Sequence, residues 1–155
     1  MESKVTEALE WIVGILEKHH VPYQIAGGFA ARLYGATRPI NDIDIDIPRT
    51  GFDAILPDVQ GFVTYGPGIL RDEKWDMYAL QLSYQGQEID IGSEECNIFD
   101  DKAQVWVESN AHLAEAVDVP FNGRVLRVCP RQKLIDYKKL LKGEHQKQDI
   151  AEISK

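Results

Sequence analysis

Three aspartates stand at alternate positions in the segment NDIDIDI, at Asp42, Asp44 and Asp46, with isoleucines between them. Strict alternation is typical of a strand whose two faces meet different surroundings. Same-face side chains on a strand are about 7 Å apart, so two neighbouring carboxylates can converge on one cation. Without a cation they repel one another. The pattern therefore predicts one face that anchors the strand in a core and one face that offers oxygen ligands to Mg²⁺.

Other interpretations of the three aspartates need no Mg²⁺. They could form a solvated strand face, although Asp is depleted in strands. They could also begin a calcium-binding loop, but such a loop needs Gly at its sixth position and Glu at its twelfth. This chain has Ile47 and Asp53 at those positions. The calcium loop is therefore the weaker of the two alternatives, and the solvated face stays open.

Two further features accompany the aspartates. Asp90 lies between isoleucines in the segment QEIDIG, which predicts a third carboxylate on a neighbouring strand, with an exposed edge strand as the alternative. Gly27 and Gly28 separate a short apolar segment from a predicted helix. Two glycines let the backbone approach a ligand closely, and a helix N-terminus offers free N–H groups to an anion. A phosphate cradle beside a carboxylate strand indicates a nucleoside triphosphate with Mg²⁺.

The elements that would position these residues follow from periodicity and turn residues. Apolar residues at helical spacing predict a first helix that ends near His19. A strand at 23–26 and a short helix at 29–34 flank the two glycines, and the aspartate strand covers about 41–47. The remaining predicted elements are a helical turn at 51–56, strands at 75–84, 88–91, 117–121 and 124–128, and a helical segment at about 130–155. This mixture predicts an α+β fold, a mixed β-sheet with helices packed mainly on one face.

Length and composition restrict the class of protein. The chain of 155 residues has neither repeats nor a flexible linker, which predicts a single domain over 1–155. No apolar run is long enough for a bilayer and no secretory signal is visible, so we expect a cytoplasmic protein without a membrane partner. Cys96 and Cys129 are too few for a disulfide scaffold. The net charge of −8 disfavours non-specific nucleic-acid binding, although the segment 124–147 is basic.

The segment IAGGFAARLYGATRPINDIDIDI, with the later Asp90, resembles the signature of the DNA polymerase β-like nucleotidyltransferase superfamily. That signature has Gly-Gly or Gly-Ser, a short helix, Asp-x-Asp on a strand and a later Asp between apolar residues. The chain is most similar to small bacterial members, namely the lincosamide-type antibiotic nucleotidyltransferases and the nucleotidyltransferase toxins of abortive-infection systems. LIDYK at 134–138 and Asp-Ile at 149–150 also resemble the C-terminal part of these proteins.

The resemblance implies a role for individual residues. The implied catalytic and metal-binding residues are Asp42, Asp44 and Asp90, and the implied nucleotide-binding residues are Gly27, Gly28, Arg38 and Lys138. Arg38 precedes Asp42 by four residues, which favours Asp42 and Asp44 as the metal-binding pair. The pair Asp44 and Asp46 stays open as an alternative register. The implied cofactor is Mg²⁺ or Mn²⁺, and Asp90 would also accept the proton of the acceptor hydroxyl.

The implied activity is transfer of a nucleoside monophosphate from a nucleoside triphosphate, such as ATP, to a hydroxyl group, with release of pyrophosphate. A non-catalytic nucleotide-binding module of the same fold and a toxin that modifies tRNA are the alternatives. The acceptor stays open among a small molecule, a protein and an RNA. A homodimer also stays open, because a chain of this length leaves little room for an acceptor-binding domain and a second chain could complete the cleft.

Overall fold

Helices and strands alternate in the first part of the chain, six strands then follow, and two helices come last. A computed structural model describes residues 1–155. The helices are α1 (Ser3–Lys18), α2 (Gly27–Leu33), α3 (Gly51–Val59), α4 (Arg131–Lys139) and α5 (Glu144–Ile153). The strands are β1 (Gln24–Ala26), β2 (Asp42–Ile47), β3 (Val63–Arg71), β4 (Trp75–Tyr84), β5 (Gln87–Asp100), β6 (Val105–Glu108), β7 (Val117–Phe121) and β8 (Arg124–Val128). None of the helices combines the length and the apolarity that a bilayer crossing requires.

All of the strands belong to one mixed sheet. Its order is β3-β4-β5-β2-β1-β8-β7, and β6 pairs with the end of β5. The aspartate strand β2 is central, because it pairs with β1 in antiparallel fashion and with β5 in parallel fashion. This mixed sheet with associated helices confirms the predicted α+β fold class.

The isoleucine face of β2 anchors the strand, as its alternation predicts. Ile43, Ile45 and Ile47 are all at most 1% exposed. They share one apolar cluster with α1, through residues such as Leu9 and Ile12, and with α3. Burying each isoleucine contributes about 1.5–3 kcal/mol, so the apolar face fixes the strand while the aspartate face stays partly accessible.

Two strands are absent from the sequence-based prediction. The edge strand β3 reads VTYGPGILR, and its Gly-Pro-Gly centre is a turn signal rather than a strand signal. An edge strand tolerates proline because one side of its backbone has no partner strand. The strand β6 has only four residues and forms by pairing with the extension of β5 beyond the predicted range 88–91. Both strands depend on their partners more than on local propensity.

Candidate active site

The aspartate face of β2 forms the floor of a cleft. Asp42, Asp44 and Asp90 each place a carboxylate oxygen within 4.8 Å of the others. Asp90 reaches this position because β5 runs parallel to β2 and Asp90 is the register partner of Asp44. Side chains at paired positions of neighbouring strands point to the same face of the sheet. We call these three side chains the acidic triad.

The acidic triad concentrates negative charge that the nearby Lys138 offsets only in part. Burial, followed by the charges of Asp42 and Asp90, raises the pKa of Asp44 well above its ordinary value. Burial, followed by the contact with Asp42, raises the pKa of Asp90 to about 7. Carboxylate oxygens are the ligands that hard divalent cations prefer, and such a cation would offset the repulsion. The donor set of the acidic triad therefore fits Mg²⁺ or Mn²⁺.

Asp46 continues the same face of β2 but does not join the acidic triad. Its Oδ2 accepts a hydrogen bond of 2.8 Å from Nε2 of Gln24, its register partner on β1. Burial raises the pKa of Asp46 to about 6, and the hydrogen bond from Gln24 opposes that shift. This geometry favours Asp42 and Asp44, rather than Asp44 and Asp46, as the pair that meets Asp90.

Gly27 brings the backbone at the start of α2 against the acidic triad. Its φ is +58°, and a Cβ atom placed there would lie 2.0 Å from Oδ2 of Asp44. Glycine is thus needed both for the left-handed backbone and for the close approach. A Cβ on Gly28 would meet no atom within 4 Å, so the second glycine faces open space. Only Gly27 is fixed by packing at this turn.

Arg38 and Lys138 both bind Asp149, a residue that the sequence analysis gave no site role. Asp149 accepts two hydrogen bonds from Arg38, from Nε at 2.8 Å and from Nη2 at 2.6 Å. It also accepts one of 3.0 Å from Nζ of Lys138, which is 3% exposed. Burial alone would raise the pKa of Asp149, but the bonds from Arg38 and Lys138 outweigh it and lower the pKa. We call these three side chains the Asp149 network.

The sequence carries one signal for the Asp149 network. Asp149 lies beside Ile150 in the Asp-Ile pair that resembles the C-terminal part of the nucleotidyltransferases. That match gives no partner for the carboxylate, because Arg38 is 111 residues away in the chain. The nucleotide-binding role of Arg38 and Lys138 stays a prediction, since Asp149 binds the charged ends of both side chains.

The cleft has a volume of about 550 Å³. Its lining includes every residue to which the resemblance implies a role, namely Gly27, Gly28, Arg38, Asp42, Asp44, Asp90 and Lys138. Trp75, Leu134 and Tyr137 add apolar and aromatic surface to the walls. Ligand-binding clefts commonly have volumes of about 300–1,000 Å³, so this one is large enough for a nucleotide-sized molecule.

Solved structures share this fold, whereas no protein-family model and no curated protein matches the chain. A candidate nucleotidyltransferase from Thermotoga maritima superposes with a TM-score of 0.72 at 20% identity, over 87% of this chain and 83% of that chain. The lincosamide antibiotic adenylyltransferase LnuA, with lincomycin bound, gives 0.65 at 14% identity, over 96% and 95%. ANT(2'')-Ia in complex with adenylyl-2''-tobramycin gives 0.61 at 17% identity, over 98% and 88%.

These neighbours define the architecture as the nucleotidyltransferase fold. The resemblance read from the sequence is confirmed at the level of the fold.

Proposed function

We propose that the protein is a metal-dependent nucleotidyltransferase that transfers a nucleoside monophosphate from a nucleoside triphosphate to a hydroxyl group and releases pyrophosphate. The observation that carries this proposal is the acidic triad. Three carboxylates from two parallel strands converge within 4.8 Å of one another, in a cleft of nucleotide size, on a nucleotidyltransferase fold.

Asp42, Asp44 and Asp90 would hold Mg²⁺ or Mn²⁺. When bound, the metal would neutralise phosphate charge and stabilise the entering and leaving oxygens of the transfer. Asp90 would accept the proton of the acceptor hydroxyl as its oxygen bonds to the α-phosphorus and the bond to pyrophosphate breaks. The isoleucine face of β2 would keep Asp42 and Asp44 in register with Asp90 during this step.

The start of α2 and the basic side chains of the cleft would bind the phosphate groups. Gly27 and Gly28 would offer the backbone at the start of α2. The Asp44 carboxylate lies against Gly27, whereas Gly28 faces open space, so phosphate oxygens could approach the backbone at Gly28 closely. Arg38 and Lys138 line the same cleft and would supply positive charge, with Asp149 fixing their orientation. Positioning and charge neutralisation account for most catalysis of phosphoryl-type transfer.

A small molecule is the acceptor class that we propose, with ATP as the donor. LnuA was solved with lincomycin and ANT(2'')-Ia with adenylyl-2''-tobramycin, so two of the structural neighbours bind small antibiotic molecules or their adenylyl product. A protein acceptor, a tRNA acceptor and a non-catalytic nucleotide-binding module stay alternatives. The single domain over 1–155, the homodimer and the cytoplasmic location stay predictions.

The proposed function is tested by replacing one carboxylate of the acidic triad. We expect Asp42→Asn and Asp44→Asn to fold, as judged by circular dichroism, and to lose metal-dependent binding of ATP in calorimetry. Pyrophosphate release with an acceptor should fall by at least about 100-fold, the size of effect seen when one charge-stabilising group leaves an active site.

Asp53→Asn is the matched control, because Asp53 is exposed on α3 and lies outside the cleft. It removes the same charge and should leave ATP binding unchanged. Folded Asp42 and Asp44 variants that bind and consume ATP like the unaltered protein would refute the proposed site. ATP binding without pyrophosphate release across a panel of hydroxyl compounds would favour the non-catalytic module.

A further inference from the structure

Lys74 lies in the turn 72–74 between β3 and β4, outside the acidic triad and the Asp149 network. Its Nζ donates to the carbonyl of Phe99 at 2.7 Å, to Oδ2 of Asp101 at 3.1 Å and to the carbonyl of Leu140 at 2.6 Å. The side chain is only 16% exposed. An ammonium group has three donors, so this lysine uses all of them within the chain. We call this group the Lys74 joint.

The Lys74 joint connects two walls of the cleft. The turn leads directly into Trp75 of β4, which lines the cleft, whereas Leu140 is the C-cap of α4. Carbonyls at the end of a helix lack partners within the helix, and here a lysine 66 residues away supplies one. Lys142, which follows α4, pairs with Asp101 at 3.6 Å and makes the same connection. The end of α4 is therefore tied to the strands.

The helix that the joint holds presents one face to the cleft. The lining residues of this segment are Leu134, Tyr137, Lys138 and Leu141, which have the spacing of one helix face. Burial, followed by the charge of Asp44, raises the pKa of Tyr137, and a contact with Trp75 opposes this shift. The two walls therefore meet close to the acidic triad.

The turn that carries Lys74 is itself fixed. Oδ1 of Asp72 accepts hydrogen bonds of 2.8 Å from the backbone N–H groups of Lys74 and Trp75. The backbone N–H of Phe99 donates to the carbonyl of Lys74 at 2.8 Å. Both ends of the lysine thus contact β5 or its extension, and the α4 wall is anchored to the sheet rather than to a free loop.

We propose that Lys74 is a positioning residue for nucleotide binding. By holding the end of α4 against the β3–β4 turn, it fixes the distance between Lys138 and the acidic triad, and so the room that the cleft leaves for a triphosphate. The nucleotide as ligand rests on the proposed function, whereas the joint itself rests on the contacts of Lys74. The alternative is a lysine that only caps α4, which would stabilise the helix without affecting the cleft.

Hydrogen exchange measured by NMR tests the joint without any ligand. Lys74→Met keeps the length of the side chain and removes its donors. We expect the backbone amides of Leu141 and Phe99 to exchange about tenfold faster or more, because each hydrogen bond from a charged group contributes at least that factor. Lys139→Met is the matched control, since Lys139 is exposed in the last turn of α4. Unchanged exchange at both amides in Lys74→Met would overturn the joint.

Calorimetry with ATP and Mn²⁺ tests the effect on the cleft. Lys74→Met should bind ATP about tenfold more weakly in the presence of Mn²⁺, yet bind Mn²⁺ alone like the unaltered protein, because the acidic triad lies on β2 and β5. Lys74→Arg should restore most of the ATP affinity, since a guanidinium can donate to the same oxygens. A folded Lys74→Met variant that is less stable but binds ATP normally would show a capping lysine only and overturn the proposal.

Asp101→Asn is the second variant should Lys74→Met fail to fold. It removes one of the three acceptors and leaves both carbonyls, so exchange at Leu141 should rise by a smaller factor. An unchanged rate there would overturn the proposal. If the unaltered protein does not bind ATP, the proposed function fails, and the joint is then decided by the exchange rates alone. If ATP binds equally to the unaltered protein and the Lys74 variants, the proposed function stands without this role for Lys74.

Discussion

At the β2–β5 floor of the cleft three carboxylates face one another and form no ion pair with a lysine or arginine, whereas at the α4–α5 wall one carboxylate binds two cations. The pKa of Asp44 and of Asp90 is raised, and the pKa of Asp149 is lowered. Both regions are built from the same functional group, so the difference lies in their partners. The acidic triad forms no ion pair within the chain, while the carboxylate of the Asp149 network has two.

The acidic triad has the charge distribution of a binding site, whereas the Asp149 network holds parts of the chain in position. A group of like charges held together by a buried apolar face is unfavourable for stability alone, and it becomes favourable when a divalent cation arrives. A carboxylate with hydrogen bonds from arginine and lysine instead ties three segments of the chain together.

Asp149→Ala should give the largest loss of stability. The substitution leaves the ammonium group of Lys138 buried without its carboxylate partner. Breaking a buried ion pair by removing one partner costs about 3–5 kcal/mol in the free energy of unfolding. Urea unfolding measures this loss. The control Glu144→Gln removes an exposed acid from the same helix and should cost less than about 1 kcal/mol. Similar values for both variants would show that the Asp149 network does not stabilise the fold.

Gly27→Ala should have a smaller effect on stability but a specific effect on the acidic triad. The left-handed backbone at Gly27 disfavours a side chain by about 1–3 kcal/mol, and the added Cβ would displace the carboxylate of Asp44. Metal binding, measured by calorimetry with Mn²⁺, should therefore weaken as well. Gly28→Ala is the matched control, because its Cβ would enter open space. Equal Mn²⁺ binding by both variants would contradict this account.

The pH dependence of stability should report the raised pKa of Asp90 in the acidic triad. The pKa of Asp90 is raised from 3.8 to about 7, so between these values the folded protein holds a proton that the unfolded chain releases. The free energy of unfolding should therefore fall as the pH rises through this window. Asp149, whose pKa is lowered, loses its contribution only as the pH falls below the ordinary carboxyl range.

Urea unfolding between about pH 5 and about pH 8 checks this slope. Asp90→Asn should reduce it, and Mg²⁺ should flatten it because a bound cation favours ionised carboxylates. A slope that is identical in the variant would assign the pH dependence to other groups. This effect is the smallest of the set, because Asp90 is partly accessible to solvent and its shift is correspondingly screened.

The central strand and its two faces were predictable from sequence because the alternation of Asp and Ile is local information. The hairpin of β7 and β8 was equally predictable from its Asn-Gly turn, and its observed ranges match the prediction. The sequence indicated a neighbouring strand for Asp90. The parallel register that sets Asp90 beside Asp44 is a tertiary property that the local pattern does not contain.

The parts that sequence analysis did not predict depend on distant partners. The edge strand β3 forms against β4 although its Gly-Pro-Gly centre indicates a turn. Asp149 could be matched to a motif, but its bonds to Arg38 depend on how α5 packs against the rest of the chain. Gln24, the one partner of Asp46, lies in a segment whose strand was predicted but whose pairing with β2 was not.

The bond between Arg38 and Asp149 joins residues that are 111 positions apart. During synthesis Arg38 therefore emerges long before α5, whereas Lys138 precedes Asp149 by only 11 residues. The wall of the cleft is completed only when α5 has been translated. A protein stopped short of α5 would thus lack Asp149, the residue that orients both basic side chains.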